Sequence, residues 1–378
     1  MTEELLIVAG EASADLHAAR ALAELRALRP GVRAFGVGGP RLRASADFEA
    51  IAPAEDISVM GLAEVLPRIP RILSILNQLA RAADARRPRA ALLVDLPDFN
   101  LRLAKKLKAL GIPVVYYVSP QVWAWRQGRA KKIARLVDRM LCILPFEPRY
   151  YEGTGLAARF VGHPFAEKPA PGPKEGYRAA LGLAAARTTI ALVPGSRPSE
   201  LRRIFPPMLE AAERIRAAHP DAQFVVPVAP TLPREALAPY LAGHPAVPVT
   251  LVDGRTDEAV GASDAAIVKS GTATLESALM LRPMIVVYRL AWLTYLVGRL
   301  LVKIAHFSLV NILAGRTVVP ELLQRDASPE RMAAEIERLL ADRGLREAQL
   351  AGLREVRASL GEPGAPRRVA ETIAEVMP

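Results

Sequence analysis

The stretch ALLVDLPDFN, residues 91–100, decides the fold class. Its opening apolar run reads as a strand buried on both faces, the mark of a parallel sheet. Pro97 stops that strand, and LRLAKKLKAL, from Leu101 to just before Gly111, reads as the helix that follows. Asp95, Asp98 and Asn100 then stand on the loop at the carboxyl end of a parallel strand, the edge where open α/β sheets bind ligands. An acid placed there is a candidate general base. The alternative is that Asp98 or Asn100 only caps the next helix.

Outward from this stretch, strand-like and helix-like segments alternate. LLIVA (5–9) precedes a helix from about Asp15 to Leu28, then RAFGVG (33–38); IPVVYYV (112–118) and RMLCIL (139–144) follow. The stretch FAEKPAPGPKEG (165–176) is rich in Pro, Gly and Lys and reads as a linker. A second series follows it: TTIALVPG (188–195), AQFVVPV (222–228), VPVTLV (247–252), DAAIVK (264–269) and PMIVVY (283–288). The pattern predicts an α/β protein with two doubly wound domains facing a cleft, over 1–166 and 175–345. Helices at 346–378 close the chain. SPERMAAEIERLL (328–340) carries Ser328 as an N-cap and Pro329 at the first helical position.

A chain of 378 residues exceeds one ordinary core. Its single cysteine, Cys142, excludes an internal disulfide and a cysteine-rich metal site. The acidic MTEELLIVAGE start is no secretory signal, and the longest uncharged stretch, Ala109 to Trp125, holds Pro113 and Pro120 and falls short of a membrane span. A cytoplasmic location is expected. The net charge of +11 is uneven: Lys and Arg outnumber Asp and Glu by 24 to 16 over residues 1–165, against 26 to 23 over 166–378. A basic first half suits nucleic acid, anionic headgroups or phosphorylated substrates, or is simply a solvated face. Segments 59–87 and 288–313 are amphipathic and basic, the second with Trp292, Tyr295, Arg299 and Lys303. Each suits a membrane interface, or a core helix or protein contact.

Four motifs carry candidate chemistry. VAGEASADLHAA (8–19) resembles a phosphate turn but lacks the triple-glycine spacing, and Glu11 would repel a phosphate. It reads as presenting Glu11 and Ser13 to sugar hydroxyls, against the alternative that Ser13 or Asp15 caps the helix. In YYVSPQVWAWRQGRAKKIARLVDR (116–139), Trp123 and Trp125 suit a sugar or acyl pocket wall or the core. Aromatic content of 5% and the absence of any nucleic-acid-binding signature argue against nucleic acid. ALVPGSRPSELRR (191–203) is strand, turn, helix. There Gly195 admits a ligand to the backbone, the amides after Ser196 face an anion, and Arg197 adds a forked cation, which together suit a diphosphate. AAIVKSGTATLESALM (265–280) repeats the arrangement with Ser270, Gly271 and Thr272, and Glu276 suits the two hydroxyls of a ribose. Capping also accounts for Ser270 or Thr272. His163 in the GHP turn reads as structural. Neither metal-ligand spacing nor a Walker loop nor a nucleophile elbow is present.

Taken in order, AGEASAD, DLPDFN, YVSPQVWAWR, GHP, PGSRPSEL, SGTATLE, SLVNILAGR and VPELLQ resemble the lipid-A-disaccharide synthase family over about residues 5–340. Ala14 stands where the family usually has Gly, and Val310 where Pro is common. The resemblance implies a B-type glycosyltransferase fold of two Rossmann-like domains, with the acceptor lipid on the first and the uridine diphosphate sugar on the second, and with the helices at 346–378 packing back on the first domain or on a partner subunit. It implies transfer of 2,3-diacylglucosamine from its UDP derivative to 2,3-diacylglucosamine 1-phosphate (lipid X), giving a β-1,6-linked disaccharide phosphate and UDP. Asp95 is then the expected base in an inverting displacement. Arg197 and the helix starts after Ser196 and Ser270 stabilise the leaving diphosphate. Glu276 holds the ribose, and Asn311 joins the nucleotide site by analogy. Glu11, Ser13, Asp98, Asn100, Trp123 and Trp125 fall to the acceptor. No cofactor or metal is expected. The chain would lie peripherally on the anionic cytoplasmic face of the inner membrane, with a homodimer left open. The competing assignments are an epimerase of UDP-N-acetylglucosamine on the same fold and a non-catalytic basic membrane-binding protein.

Overall fold

The computed structural model describes residues 3–58, 62–124, 128–290, 295 and 305–377, with the backbone alone for 62–66. Trp125 and most of the second amphipathic segment, including Trp292, Arg299 and Lys303, lie outside the described residues. The chain forms two units: Met1–Glu167 with Leu360–Pro378, and Lys168–Ser359.

The first unit holds a seven-stranded sheet, β1 (Glu3–Ala9), β2 (Val32–Gly38), β3 (Phe48–Pro53), β4 (Ala90–Val94), β5 (Val114–Tyr117), β6 (Arg139–Cys142) and β7 (Ala157–Phe160), in the order β3-β2-β1-β4-β5-β6-β7. All its pairings are parallel. Helices cover both faces, so β4 is buried at every position and its run is apolar throughout. Strand order reverses between β1 and β4, where Ala9 lies beside Val94. This is the topological switch point, and both carboxyl ends there open onto the ligand-binding edge.

The second unit repeats the plan with β8 (Thr189–Val193), β9 (Gln223–Val228), β10 (Val249–Asp253), β11 (Ala265–Lys269), β12 (Met284–Tyr288) and β13 (Glu321–Leu323), in the order β10-β9-β8-β11-β12-β13. Its switch point lies between β8 and β11, where Val193 pairs with Val268.

Three expectations need correction. The helix after β4 runs Pro97–Ala109, four residues earlier than Leu101. Pro97 opens it at the first helical position, where proline's fixed φ fits and its missing N–H is no loss. The first helix is Ala12–Leu28, not one starting near Asp15, and Glu11 is its N-cap residue. The closing segment 346–378 divides between the units. The Arg343–Ser359 helix belongs with the second, where Gln349 satisfies the amide and carbonyl of Met284 at 2.7 and 3.1 Å. The Ala365–Val376 helix buries Val369, Ala370 and Ile373 in the core that also contains Ala18, Ala21 and Leu25 of the first helix. Ser328 does cap Pro329–Ala341, accepting from the Arg331 amide at 3.3 Å.

The first amphipathic segment is the Leu62–Arg86 helix. Ile75, Leu76, Leu79 and Ala83 are core residues, whereas Ile69 and Leu73 are 39% and 40% exposed. Its cations are not all free for a surface: Arg71 pairs with Asp56 at 2.7 Å, and Arg86 bridges Glu4 and Glu49.

Candidate active site

At the carboxyl end of β4 the backbone is strained. Asp95 and Leu96 have φ of 51° and 45°, and Val118 after β5 has φ of 68°. Left-handed conformations cost non-glycine residues, most of all β-branched ones, and persist where surrounding bonds enforce them. Here the Asp95 amide donates to the Tyr117 carbonyl at 2.9 Å and the Val118 amide to that of Leu141 at 3.0 Å. The Asp95 carbonyl accepts from the Tyr116 hydroxyl and from Asn100 Nδ2. The turn lines a pocket of about 250 Å³ with Pro97, Val118, Ser119, Pro120 and Arg129. Burial pushes the Asp95 carboxyl above its ordinary range, and the Leu96 amide partly opposes this.

The neighbouring acids behave differently. Asp98 is exposed and pairs with Arg129 at 3.0 Å. Asn100 is fully buried, and both amide hydrogens go to backbone carbonyls, Val94 at 3.1 Å and Asp95 at 2.7 Å. It does not cap the helix, whose N-cap residue is Leu96, and its amide hydrogens bracket the Asp95 turn. Trp123 is likewise 8% exposed and packs edge-on against Phe146, 5.4 Å between centroids. Its ring is enclosed by that packing, as a core residue's is. Behind it Glu147 accepts from the Ile143 and Leu144 amides at 3.2 and 3.0 Å, and burial pushes its carboxyl up to about 7.

On the other side of the switch point, Glu11 is half-buried and Ser13 exposed. Neither Ser13 nor Asp15 caps the helix that follows β1. Asp15 is buried and accepts from Gly39, Arg41 and Leu42 at 2.8, 2.9 and 3.1 Å, capping the short Pro40–Arg43 helix instead. His163 Nδ1 accepts from the Phe165 amide at 3.0 Å, and burial followed by the nearby His17 lowers its pKa to about 4, consistent with a structural role.

In the second unit Gly195, with φ of 109°, follows β8 and precedes the Pro198–Ala218 helix, whose N-cap is Arg197. Glu200, in the first turn, accepts from the Ser196 amide at 3.3 Å and lies 3.6 Å from Arg197. Lys269, the last residue of β11, donates to the same carboxylate at 2.6 Å. Beyond it, Gly271 has φ of 153°, and Thr274 Oγ1 accepts from its amide at 3.1 Å. Thr274, rather than Ser270 or Thr272, ties down the start of the Thr272–Ala278 helix. Ser270 Oγ donates to the Phe307 carbonyl at 3.4 Å, and Thr272 is exposed.

Glu276 is one of two carboxylates on Lys168 Nζ, at 2.6 Å, with Asp257 at 2.7 Å. Asn311 is fully buried: Oδ1 accepts from Val318 and Val319 at 2.7 and 3.0 Å, and Nδ2 donates to Val319 at 2.9 Å. These bonds clamp residues 318–319 to the Leu309–Ala314 helix. Sequence reasoning missed Lys168, Lys269 and Glu200. A lysine closing the apolar run AAIVK was the available signal for one of them. Among the described residues, no group of three or more His, Cys, Asp or Glu is placed to hold a metal ion.

The family model described as Lipid-A-disaccharide synthetase matches residues 5–373. Lipid-A-disaccharide synthase of Anaeromyxobacter dehalogenans (strain 2CP-1 / ATCC BAA-258) is 78% identical over 100% of this chain and 98% of its own length. That of Myxococcus xanthus (strain DK1622) is 56% identical over 99% and 97%. Among solved structures, UDP-GlcNAc 2-epimerase from Neisseria meningitidis bound to UDP-GlcNAc aligns with a TM-score of 0.63 at 11% identity, over 98% of this chain and 100% of that one. CalG4, the calicheamicin glycosyltransferase, aligns at 0.59 and 14%, over 99% and 98%. At such identities the likeness to these structures is one of fold. The chain belongs to the lipid-A-disaccharide synthase family and is a glycosyltransferase built from two parallel-sheet α/β domains.

Proposed function

We propose that the chain joins 2,3-diacylglucosamine, delivered as its UDP derivative, to the 6-hydroxyl of 2,3-diacylglucosamine 1-phosphate, with Asp95 as the base. The observation that carries the chemistry is the Asp95 carboxyl. It stands on a strained turn at a switch point, lines a pocket and is held above the ordinary carboxylate range by burial. A base with raised pKa has more driving force to take a hydroxyl proton. The acceptor oxygen forms its bond to the anomeric carbon as its proton passes to Asp95. The bond from that carbon to the diphosphate breaks, and the electron pair leaves with UDP.

In the second unit the Ser196 amide and Arg197 meet the charge that develops on the diphosphate, a task for fixed donors. Glu276, oriented by Lys168, accepts the ribose hydroxyls. Glu11 and Ser13, one strand away from Asp95, are assigned to acceptor hydroxyls, and the Asp98–Arg129 pair to the pocket rim. No described helix is long and apolar enough to cross a membrane. Contact with anionic lipid is assigned to the exposed Ile69 and Leu73 of the Leu62–Arg86 helix, beside the basic Arg68.

The test is turnover of the purified chain with the two lipid sugars, with and without chelator. UDP release only when the acceptor is present, unaffected by chelator, is the expected result. Release without acceptor, or full activity of Asp95→Ala, would overturn the assignment.

A further inference from the structure

Lys269 is only 8% exposed, yet it ends a strand whose other four residues are apolar. A buried ammonium requires an anion, and Glu200 supplies it at 2.6 Å. The same carboxylate takes the Ser196 amide with its other oxygen and stands near Arg197. A glutamate at the third helical position ordinarily reaches back to the N-cap amide. Glu200 reaches one residue further, to the turn assigned above to the diphosphate. The two glycine turns of the unit look onto this pair. A Cβ added at Gly195 would lie 2.5 Å from Glu200 Oε2, and one added at Gly271 would lie 3.2 Å from Lys269 Nζ. The space those glycines leave open therefore holds a carboxylate already bound to an amide and two cations, the arrangement that a phosphate would make.

We propose that Lys269 is a diphosphate-binding cation of the donor site and that Glu200 is an internal anion keeping that site closed until the donor displaces it. On binding, the diphosphate takes over Lys269 and the Ser196 amide while the Glu200 carboxylate rotates away. Two anions do not share one amide and one ammonium without repulsion. This rests on the assignment of the second unit to the UDP-sugar. It adds a phosphate ligand and a cost to binding that only phosphate-bearing ligands meet.

The test is calorimetric titration of the full chain with UDP and with uridine, for wild type, Glu200→Gln and Lys269→Met. Glu200→Gln is expected to bind UDP about tenfold or more tightly than wild type and Lys269→Met about tenfold or more weakly, the effect of one charge-assisted hydrogen bond. Uridine affinity should stay within about twofold of wild type in both, because uridine carries no phosphate. Glu200→Gln is nearly isosteric, and its result decides even if Lys269→Met does not fold. If wild type binds UDP and Glu200→Gln binds it no more tightly, the internal-anion role is wrong and the donor assignment stands. Equal changes for uridine and UDP would likewise show a purely structural ion pair. If wild type binds neither ligand, the donor assignment itself fails.

Discussion

Nδ2 of Asn100 donates to the carbonyl oxygen of Asp95 at 2.7 Å, and its second hydrogen goes to Val94 at 3.1 Å. These bonds join the first turn of a helix to the end of the strand before it and hold two consecutive left-handed residues between them. Asn100 thus holds the turn that carries the proposed base. Asn100→Ala should cost about 1–3 kcal/mol of stability, the loss of two hydrogen bonds to backbone carbonyls. It should lower kcat more than it raises KM, since the base is mispositioned while binding groups remain. Denaturant unfolding together with steady-state kinetics checks both; unchanged kcat in a destabilised variant would confine Asn100 to the fold.

Asp95 must be ionised to act, so activity falls as pH drops through its pKa. Burial raises that pKa, and the acidic limb of kcat/KM should therefore lie above the ordinary aspartate range. Asp95→Asn should lower kcat by roughly 10²–10⁴, the usual contribution of a general base. A limb within the ordinary range, or residual activity near wild type, would place the base elsewhere.

Glu147 gives a stability prediction with the opposite sign from a salt-bridged acid. Its pKa is raised from 4.5 to about 7, mainly by burial. The folded state holds the proton more tightly than the unfolded state. The contribution to stability is present in full below about 4.5 and is lost as pH rises through about 7. Glu147→Gln keeps the neutral shape at all pH values. Its stability relative to wild type should rise by about 3 kcal/mol between pH 5 and 8. Urea melts at the two pH values decide; a difference that does not vary with pH would show that Glu147 does not titrate in this range.

Lys168 lies between Glu276 and Asp257. Although burial lowers its pKa, the hydrogen bonds to both carboxylates outweigh this, and it remains raised. Lys168→Met leaves two carboxylates without their shared cation. Because Glu276 is assigned to the ribose, affinity for uridine and UDP should fall together, by about tenfold for one charge-assisted contact. This contrasts with Lys269→Met, which should spare uridine, and the same titrations separate the two. Loss confined to UDP would move Lys168 into the phosphate site.

The sites were legible where chemistry sits on a strand end. Asp95 and Gly195 follow fully buried apolar runs, and such runs announce their ends locally. Three strands escaped notice. β3 and β7 are largely exposed or half-buried and carry no continuous apolar run, and β13 has only three residues. Asn100 reads as a ligand-binding residue because it follows a strand end, and Asn311 only by family analogy. The backbone groups that each of them holds are visible only in the fold.

The sequence by itself determined the parallel α/β class, the two series of strands and the placing of acids and glycine turns at carboxyl ends. Those features depend on runs of a few neighbouring residues. Tertiary structure alone decided the partners. Lys168 meets Glu276 across 108 positions and Lys269 meets Glu200 across 69. The final helix returns to the first unit to cover its first helix. The Lys269–Glu200 pairing follows from β8 and β11 lying side by side at the switch point, and strand order is set by which apolar faces bury one another rather than by local sequence.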